Sequence, residues 1–207
     1  MNNFRTAGKY GEDEFIERKS RFIGQCRPVK NQDEALAFIE EIRALHPNGT
    51  NAYAYVLRDD NTMRYSDAGE PSGTAGVPIL EVIKKEGLTD ICVVVTRYYG
   101  GIQLGAGGLV RAYGKGAKIG LNAAGTVEKV YCSRFLIRCD YPTYGKLEYV
   151  INAEGHIIEE CVFEDDVCIT AGVIQGREEA FLKTVSDTSG GNARTSELPG
   201  EYITREL

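Results

Sequence analysis

Asp67 and Glu70 stand three residues apart in the stretch SDAGEPSGTAGVPIL (66–80), with Ser72 and Thr74 close behind. Two carboxylates at that spacing can share acid/base work or hold a magnesium ion, and the nearby hydroxyls can serve as donors. The same residues also make an ordinary turn and helix start. Asp67 and Gly69 favour chain reversal, and Ser72 or Thr74 can cap a helix. Both readings stand on the sequence alone.

A second run, TRYYGGIQLGAGGLVRAYGKGAK (96–118), poses a related question. Gly100, Gly101, Gly105, Gly107 and Gly108 fall between the end of a strand-like segment and the start of a helical one. Free backbone N–H groups at a helix start, reinforced by the helix dipole, favour an anion there, and a phosphate is the natural guest. The spacing is neither the G-x-G-x-x-G of dinucleotide-binding folds nor a Walker loop, so the backbone alone carries this reading. A turn-and-packing role is the competing account. Arg97, Tyr98 and Tyr99 precede these glycines, and Arg111, Lys115 and Lys118 follow on one helical face. Cations, rings and amides at one edge suit single-stranded or looped RNA, with phosphates on the amides and bases on tyrosine. A solvated helix face and core tyrosines are the plainer alternatives. His46 and His156 lie outside both runs, which disfavours a locally built Ser-His or Cys-His nucleophile. No catalytic residue, metal ligand or cofactor is therefore assigned.

The elements that must position these residues can be read from periodicity. Asn31 followed by Glu34 makes a capping box, and Leu36, Ile39, Ile42 and Leu45 recur at helical spacing, which predicts a helix over 32–45. EFIERKSRFIGQCRPV alternates as one or two strands, and AYAYVLR with TMRYS reads as a hairpin around Asp59, Asp60 and Asn61. VPILEVIKKEG is a second helix ended by Gly87, and DICVVVT is apolar on both faces, as a central strand must be. A third helix covers 107–124. Eight of the residues from 100 to 120 are glycine, and each inside the helix costs about 1 kcal/mol against alanine. Gly108, Ala112, Gly116, Gly120 and Ala124 recur every four residues, stripping one stripe so that the helix can lie close on a sheet. From Val127 the order becomes βαββαβ, the split unit of ferredoxin-like domains. Two small domains follow, 1–127 and 128–207, with the boundary near Gly125.

Apolar residues make up 43% and charged residues 26% of the 207, an ordinary globular balance. The net charge of −6 is uneven: Lys and Arg number 16 against 15 acidic residues over 1–127, but 8 against 15 over 128–207. The second half should avoid polyanions and suits contact with a protein partner. The N-terminal residues lack the apolar core of a secretion signal, and Ile91–Val95 is too short to span a bilayer, so a cytoplasmic, membrane-free protein is expected. Six cysteines without close C-x-x-C pairs read as reduced, buried thiols, although Cys161 and Cys168 would face each other across a hairpin in one register.

KSRFIG (19–24), SDAGEPSGTAGVPIL and GLTDICVVVTRYYGGIQLGAGGLVRAYG (87–114), with the order of the two domains, resemble the YigZ/IMPACT family. The resemblance implies an α+β protein. Its first domain would have the ribosomal-protein-like βαβ fold of elongation factor G domain IV, and its second would be ferredoxin-like, as in domain V. Eukaryotic relatives of the first domain act in translational control through a kinase-activating partner. Members often carry a His-Asn-Cys cluster before the aromatic strand, where this chain reads HPNGTNAYAY, with Ala52 at the cysteine position. The expected function is RNA or ribosome binding in translation or its stress regulation. Its expected surface comprises Arg97, Tyr98, Gly100, Gly101, Gly105, Gly107, Gly108 and Arg111. An enzyme acting on a phosphorylated small molecule or nucleotide, and a protein-interaction module, are the alternatives.

Overall fold

Asn31 starts the first helix by the chemistry its type supplies: its Oδ1 accepts from Glu34 N at 2.9 Å, while Glu34 Oε2 accepts from Lys30 N at 2.8 Å. The helix, α1, spans Gln32–Leu45 and buries Ala35, Phe38, Ile39 and Ile42, one stripe of its surface; of the expected apolar positions Ile39 and Ile42 lie on it, while Leu36 and Leu45 are exposed and Ala35 and Phe38 take their place. The computed structural model describes residues 3–59 and 61–206. The chain divides into two compact units, Phe4–Glu128 and Lys129–Arg205.

In the first unit, β1 (Phe4–Ala7) precedes β2 (Gly11–Glu17), β3 (Ser20–Pro28), β4 (Thr50–Leu57), β5 (Thr62–Ser66) and β6 (Ile91–Tyr98). The sheet runs β2-β3-β6-β4-β5, and each of these pairings is antiparallel. The apolar run ICVVV lies on β6, the middle strand, where both faces are covered. One face packs on α1 through Tyr55, Leu57, Cys92 and Val94. The other packs on α2 (Gly76–Glu86) and α3 (Ala106–Ala124) through Ala52, Ala54, Val93 and Val95. β4 and β5 form the expected hairpin, with Tyr53 opposite Ser66; of its turn residues, Asp60 lies outside the described residues.

The four-residue stripe on α3 is a packing device. A Cβ on Gly116 would stand 2.6 Å from Val95 Cγ1, and one on Gly24 of β3 would stand 1.9 Å from the Gly116 carbonyl oxygen. Neither approach admits a side chain, so the helix axis comes nearer the sheet than side-chain-bearing residues allow.

The second unit runs β7 (Thr126–Cys139, entering from the first unit), α4 (Tyr141–Ala153), β8 (Ile157–Phe163), β9 (Val167–Ile174), α5 (Glu178–Ser189) and β10 (Arg194–Glu206). β9 lies between β7 and β8, antiparallel to both, and β10 joins β7, which is the βαββαβ order of a ferredoxin-like unit. Its core joins Phe135, Ile137 and Ile169 to Leu147, Ile151 and Phe181. Cys161 pairs with Ile169, and Cys168 with Val162, so the two thiols lie on opposite sheet faces and the facing register does not occur. Among the described residues no helix is long and apolar enough to cross a membrane.

Candidate nucleic-acid interface

The glycine-rich stretch at 66–80 wraps one carboxylate. Asp67 Oδ2 accepts from Gly73 N at 2.8 Å, and Oδ1 accepts from Ala75 N at 3.0 Å and Gly76 N at 2.8 Å. The amides of Ala75 and Gly76 open α2 and that of Gly73 lies in the turn before it, so Asp67 caps that helix from nine residues upstream. Desolvation pushes the Asp67 carboxyl up, but the N–H groups of Gly73, Gly76 and Ala75 outweigh it and hold the group below the usual carboxylate range. The acid/base or magnesium role set out for Asp67 is corrected: its oxygens are occupied. Neither hydroxyl supplies the α2 cap. Thr74 is buried and donates to Pro71 O at 2.6 Å, while Ser72 is exposed.

Glu70 is committed elsewhere. Its Oε1 accepts from Arg97 Nη1 at 2.7 Å and from the Tyr113 hydroxyl at 2.8 Å, and both ends of the Arg97–Glu70 pair are 9% exposed. Burial, then the nearby Glu70 charge and hydrogen bond, drive the Tyr113 phenol well above its usual range, so it remains a donor. A carboxylate holding a buried guanidinium and a buried phenol is a poor general base, which removes Glu70 as well from the enzymatic reading. Arg97, expected as an open cation, is 8% exposed; its Nη2 reaches Ser20 Oγ at 3.4 Å, and its Nε is buried with no hydrogen-bond partner among the described residues.

Tyr98 is a second correction. Successive strand residues point to opposite faces, so Tyr98 turns toward α1, where its hydroxyl lies 2.9 Å from His46 Nδ1. Tyr99 takes the position expected of Tyr98: it is 60% exposed, with the Arg97 Cζ 5.2 Å from its ring centre. The same alternation separates Asn51 from Ala52. Asn51 Oδ1 accepts from Thr96 at 2.7 Å on the α1 side, whereas Ala52 is fully buried against α2 and α3. A cysteine at 52 would therefore face away from His46 and Asn51.

Beyond Tyr99 the loop turns to α3. Gly100 packs on the Lys19 backbone, where a Cβ would stand 2.0 Å from its carbonyl carbon, and its N–H donates to Ser20 Oγ at 3.2 Å. That amide is spent, so Gly100 leaves the expected anion set. Gly101 is an exposed turn residue. Gly105 is the N-cap of α3 at φ 72°, a conformation only glycine adopts without strain, and among the described residues no side-chain hydrogen bond caps the helix. The first i→i−4 bond here runs from Leu109 N to Gly105 O at 2.9 Å. Ala106 and Gly107 are exposed and Gly108 half-buried, so the first residues of a 19-residue helix, whose amides have no partner within the helix, lie at the surface.

A cleft of about 430 Å³ lies at this helix start, lined by Arg97, Tyr99, Gln103, Gly105 and Ala106 among others. A groove of about 220 Å³ adjoins it, lined by Phe15, Arg18, Arg111 and Lys115, and Leu104 lines both. Arg111 is exposed, and Lys115 Nζ sits 4.1 Å from the Phe15 ring centre. Lys118 leans to the other flank and pairs with Glu86 at 2.6 Å, outside this grouping. Arg18 and Lys19 join this edge although the sequence reading assigns them no role. They form the two-residue turn between β2 and β3 with φ of 45° and 63°, the positive values that a hairpin of this length requires. The signal was present: two residues, Arg18-Lys19, between alternating segments. Tyr113 and Ser20 carried no comparable mark.

These residues fall inside a stretch with a known counterpart. Residues 18–121 match the Impact N-terminal domain, and residues 137–192 match the Domain of unknown function (DUF1949). The IMPACT family member YvyE of Bacillus subtilis (strain 168) is 40% identical over 209 residues, spanning 100% of this chain and 96% of its own. The chain belongs to the IMPACT family. The family member YigZ of Escherichia coli (strain K12) is 34% identical over 180 residues, 84% of this chain and 88% of its own. A solved structure described as the crystal structure of a hypothetical protein superposes with a TM-score of 0.61 at 30% identity, covering 96% of this chain and 98% of that one. The IMPACT membership read from KSRFIG and the two glycine-rich runs thus holds, as does the two-part α+β architecture. The matched N-terminal segment contains Arg18, Arg97, Tyr99, Arg111 and Lys115 together.

Proposed function

We propose that this IMPACT family member is a cytoplasmic RNA- or ribosome-associated protein, acting in translation or its stress regulation, and that it contacts RNA through the first unit. The carrying observation is the uncapped, solvent-facing N-terminus of α3 set beside Arg18, Arg111 and Lys115. Backbone amides and dipole supply an attraction for phosphate that needs no cation, and the three side chains add charge beside it. With a net charge of −6, general polyanion affinity is not expected, so binding should be local. The acidic second unit is assigned to a protein partner.

The test is fluorescence anisotropy of labelled RNA across a salt series. Three side-chain phosphate contacts on a single strand give a slope of log K against log salt of about −2, and each contact removed takes away about 0.7. Arg111→Ala with Lys115→Ala should flatten the slope by about 1.4 while leaving circular dichroism unchanged. Salt-insensitive binding, or a slope unaltered in the double variant, would overturn the reading.

A further inference from the structure

The cleft and the groove differ in charge, and that difference selects a ligand. Resting on the RNA reading above, we propose that they hold consecutive phosphodiesters of a single strand, with one base stacked on Tyr99; the ligand class is an internal single-stranded segment, not a terminal phosphate, a mononucleotide or a duplex.

The cleft offers donors without net charge. Its guanidinium, Arg97, already meets Glu70 at 2.7 Å, and its other donors are neutral: the Gln103 carboxamide and the amides at the start of α3. Arg97 Nε is closed off from solvent and unpartnered among the described residues, so a guest is held by the donors that line the cleft and not by that atom. A monoanionic diester fits such a site. A terminal phosphate carries about −1.5 to −2 at neutral pH, and the Glu70 carboxylate lining the same cleft repels that second charge. The groove is the opposite case: Arg18, Arg111 and Lys115 outnumber Glu17 there, so it takes a second phosphate on charge. Because Leu104 lines both cavities, a strand leaving one enters the other across a single side chain.

Tyr99 fixes the strandedness. Arg97 lies 5.2 Å from its ring centre, and the ring is 60% exposed, leaving a stacking platform beside the cleft. A base can occupy it only when unpaired and splayed from its neighbours, as in a single strand or a loop.

The decisive experiment is calorimetric titration of the full chain with UMP, UpU, UpUpU and a short RNA duplex, repeated on Tyr99→Ala. UMP and UpU carry one phosphate each and differ in its charge. The expected order is UMP weakest, UpU tighter despite its lower charge, and UpUpU at least tenfold tighter than UMP. The duplex should bind at least tenfold more weakly than a single strand of equal phosphate count. Tyr99→Ala should lose about tenfold on UpUpU, the worth of one stacked base, and nothing on the duplex. UMP binding as tightly as UpUpU, or an unaffected Tyr99 variant, overturns the inference. Duplex and single strand binding equally, with Arg111 and Lys115 still required, also overturns it but leaves the RNA reading standing. Failure of every RNA ligand removes both.

Discussion

Asp67 gives the sharpest quantitative expectation for the first unit. Replacing it with alanine leaves the N–H groups of Gly73, Ala75 and Gly76, now bonded at 2.8–3.0 Å, without their acceptor at the start of α2. One N-cap bond is typically worth about 1 kcal/mol, and bonds to a charged group about 1.5–3 kcal/mol each. The three share one carboxylate and water can reach part of the site, so they do not add fully. A loss of about 3 kcal/mol is expected for Asp67→Ala, and about half that for Asp67→Asn, which keeps one acceptor oxygen. The carboxyl is held below its usual value of 3.8, so its contribution is complete above that pH and fades as pH falls through the lower folded value. Asp67→Asn should lack that acid-side decline. Urea unfolding followed by circular dichroism measures both, and amide exchange at Gly73, Ala75 and Gly76 reports the cap locally. Either variant lying within 0.5 kcal/mol of wild type at pH 7 would refute the capping role.

Two further expectations concern packing and pH. Gly116→Ala places a methyl 2.6 Å from Val95 Cγ1 and should cost about 1–3 kcal/mol, whereas Gly114→Ala, with Val82 3.9 Å away, should gain up to about 1 kcal/mol in the same unfolding assay. His156 is buried against Phe181, its Nε2 3.5 Å from Glu154 Oε2 and neither ring nitrogen in a hydrogen bond of good geometry among the described residues, and burial, then the Arg177 charge, hold it below its usual 6.5 against the opposing Glu154 carboxylate. The unfolded chain therefore binds the proton more readily. Stability of the second unit should be full above about pH 6.5 and fall as pH drops through it, by at most about 1.4 kcal/mol per pH unit, and His156→Leu should flatten the unfolding midpoint over that range.

Periodicity carried most of the fold because the forces behind it are local. The 32–45 helix follows from an Asn–Glu cap and an apolar stripe, and the central place of β6 follows from a run with no polar face. The four-residue stripe of small side chains foretold the close seating of α3. The interface was less legible. That Arg97 is neutralised by Glu70 depends on two residues 27 positions apart folding together, and composition holds no record of such a pairing. Gly100 was spent for the same kind of reason, through Ser20, 80 residues away. The exchange of Tyr98 for Tyr99 was different. Strand alternation puts Arg97 and Tyr99 on one face and Tyr98 on the other, a parity written in the sequence. It also explains why His46, Asn51 and position 52 do not form one cluster.

The amides of Ala106, Gly107 and Gly108 are where the account meets observation most directly. Titration of the isotope-labelled chain with a short single-stranded RNA, followed by amide chemical shifts, should move these three signals first, together with Tyr99 and Arg111. Shifts confined to the second unit, or these amides unmoved at saturation, would contradict it.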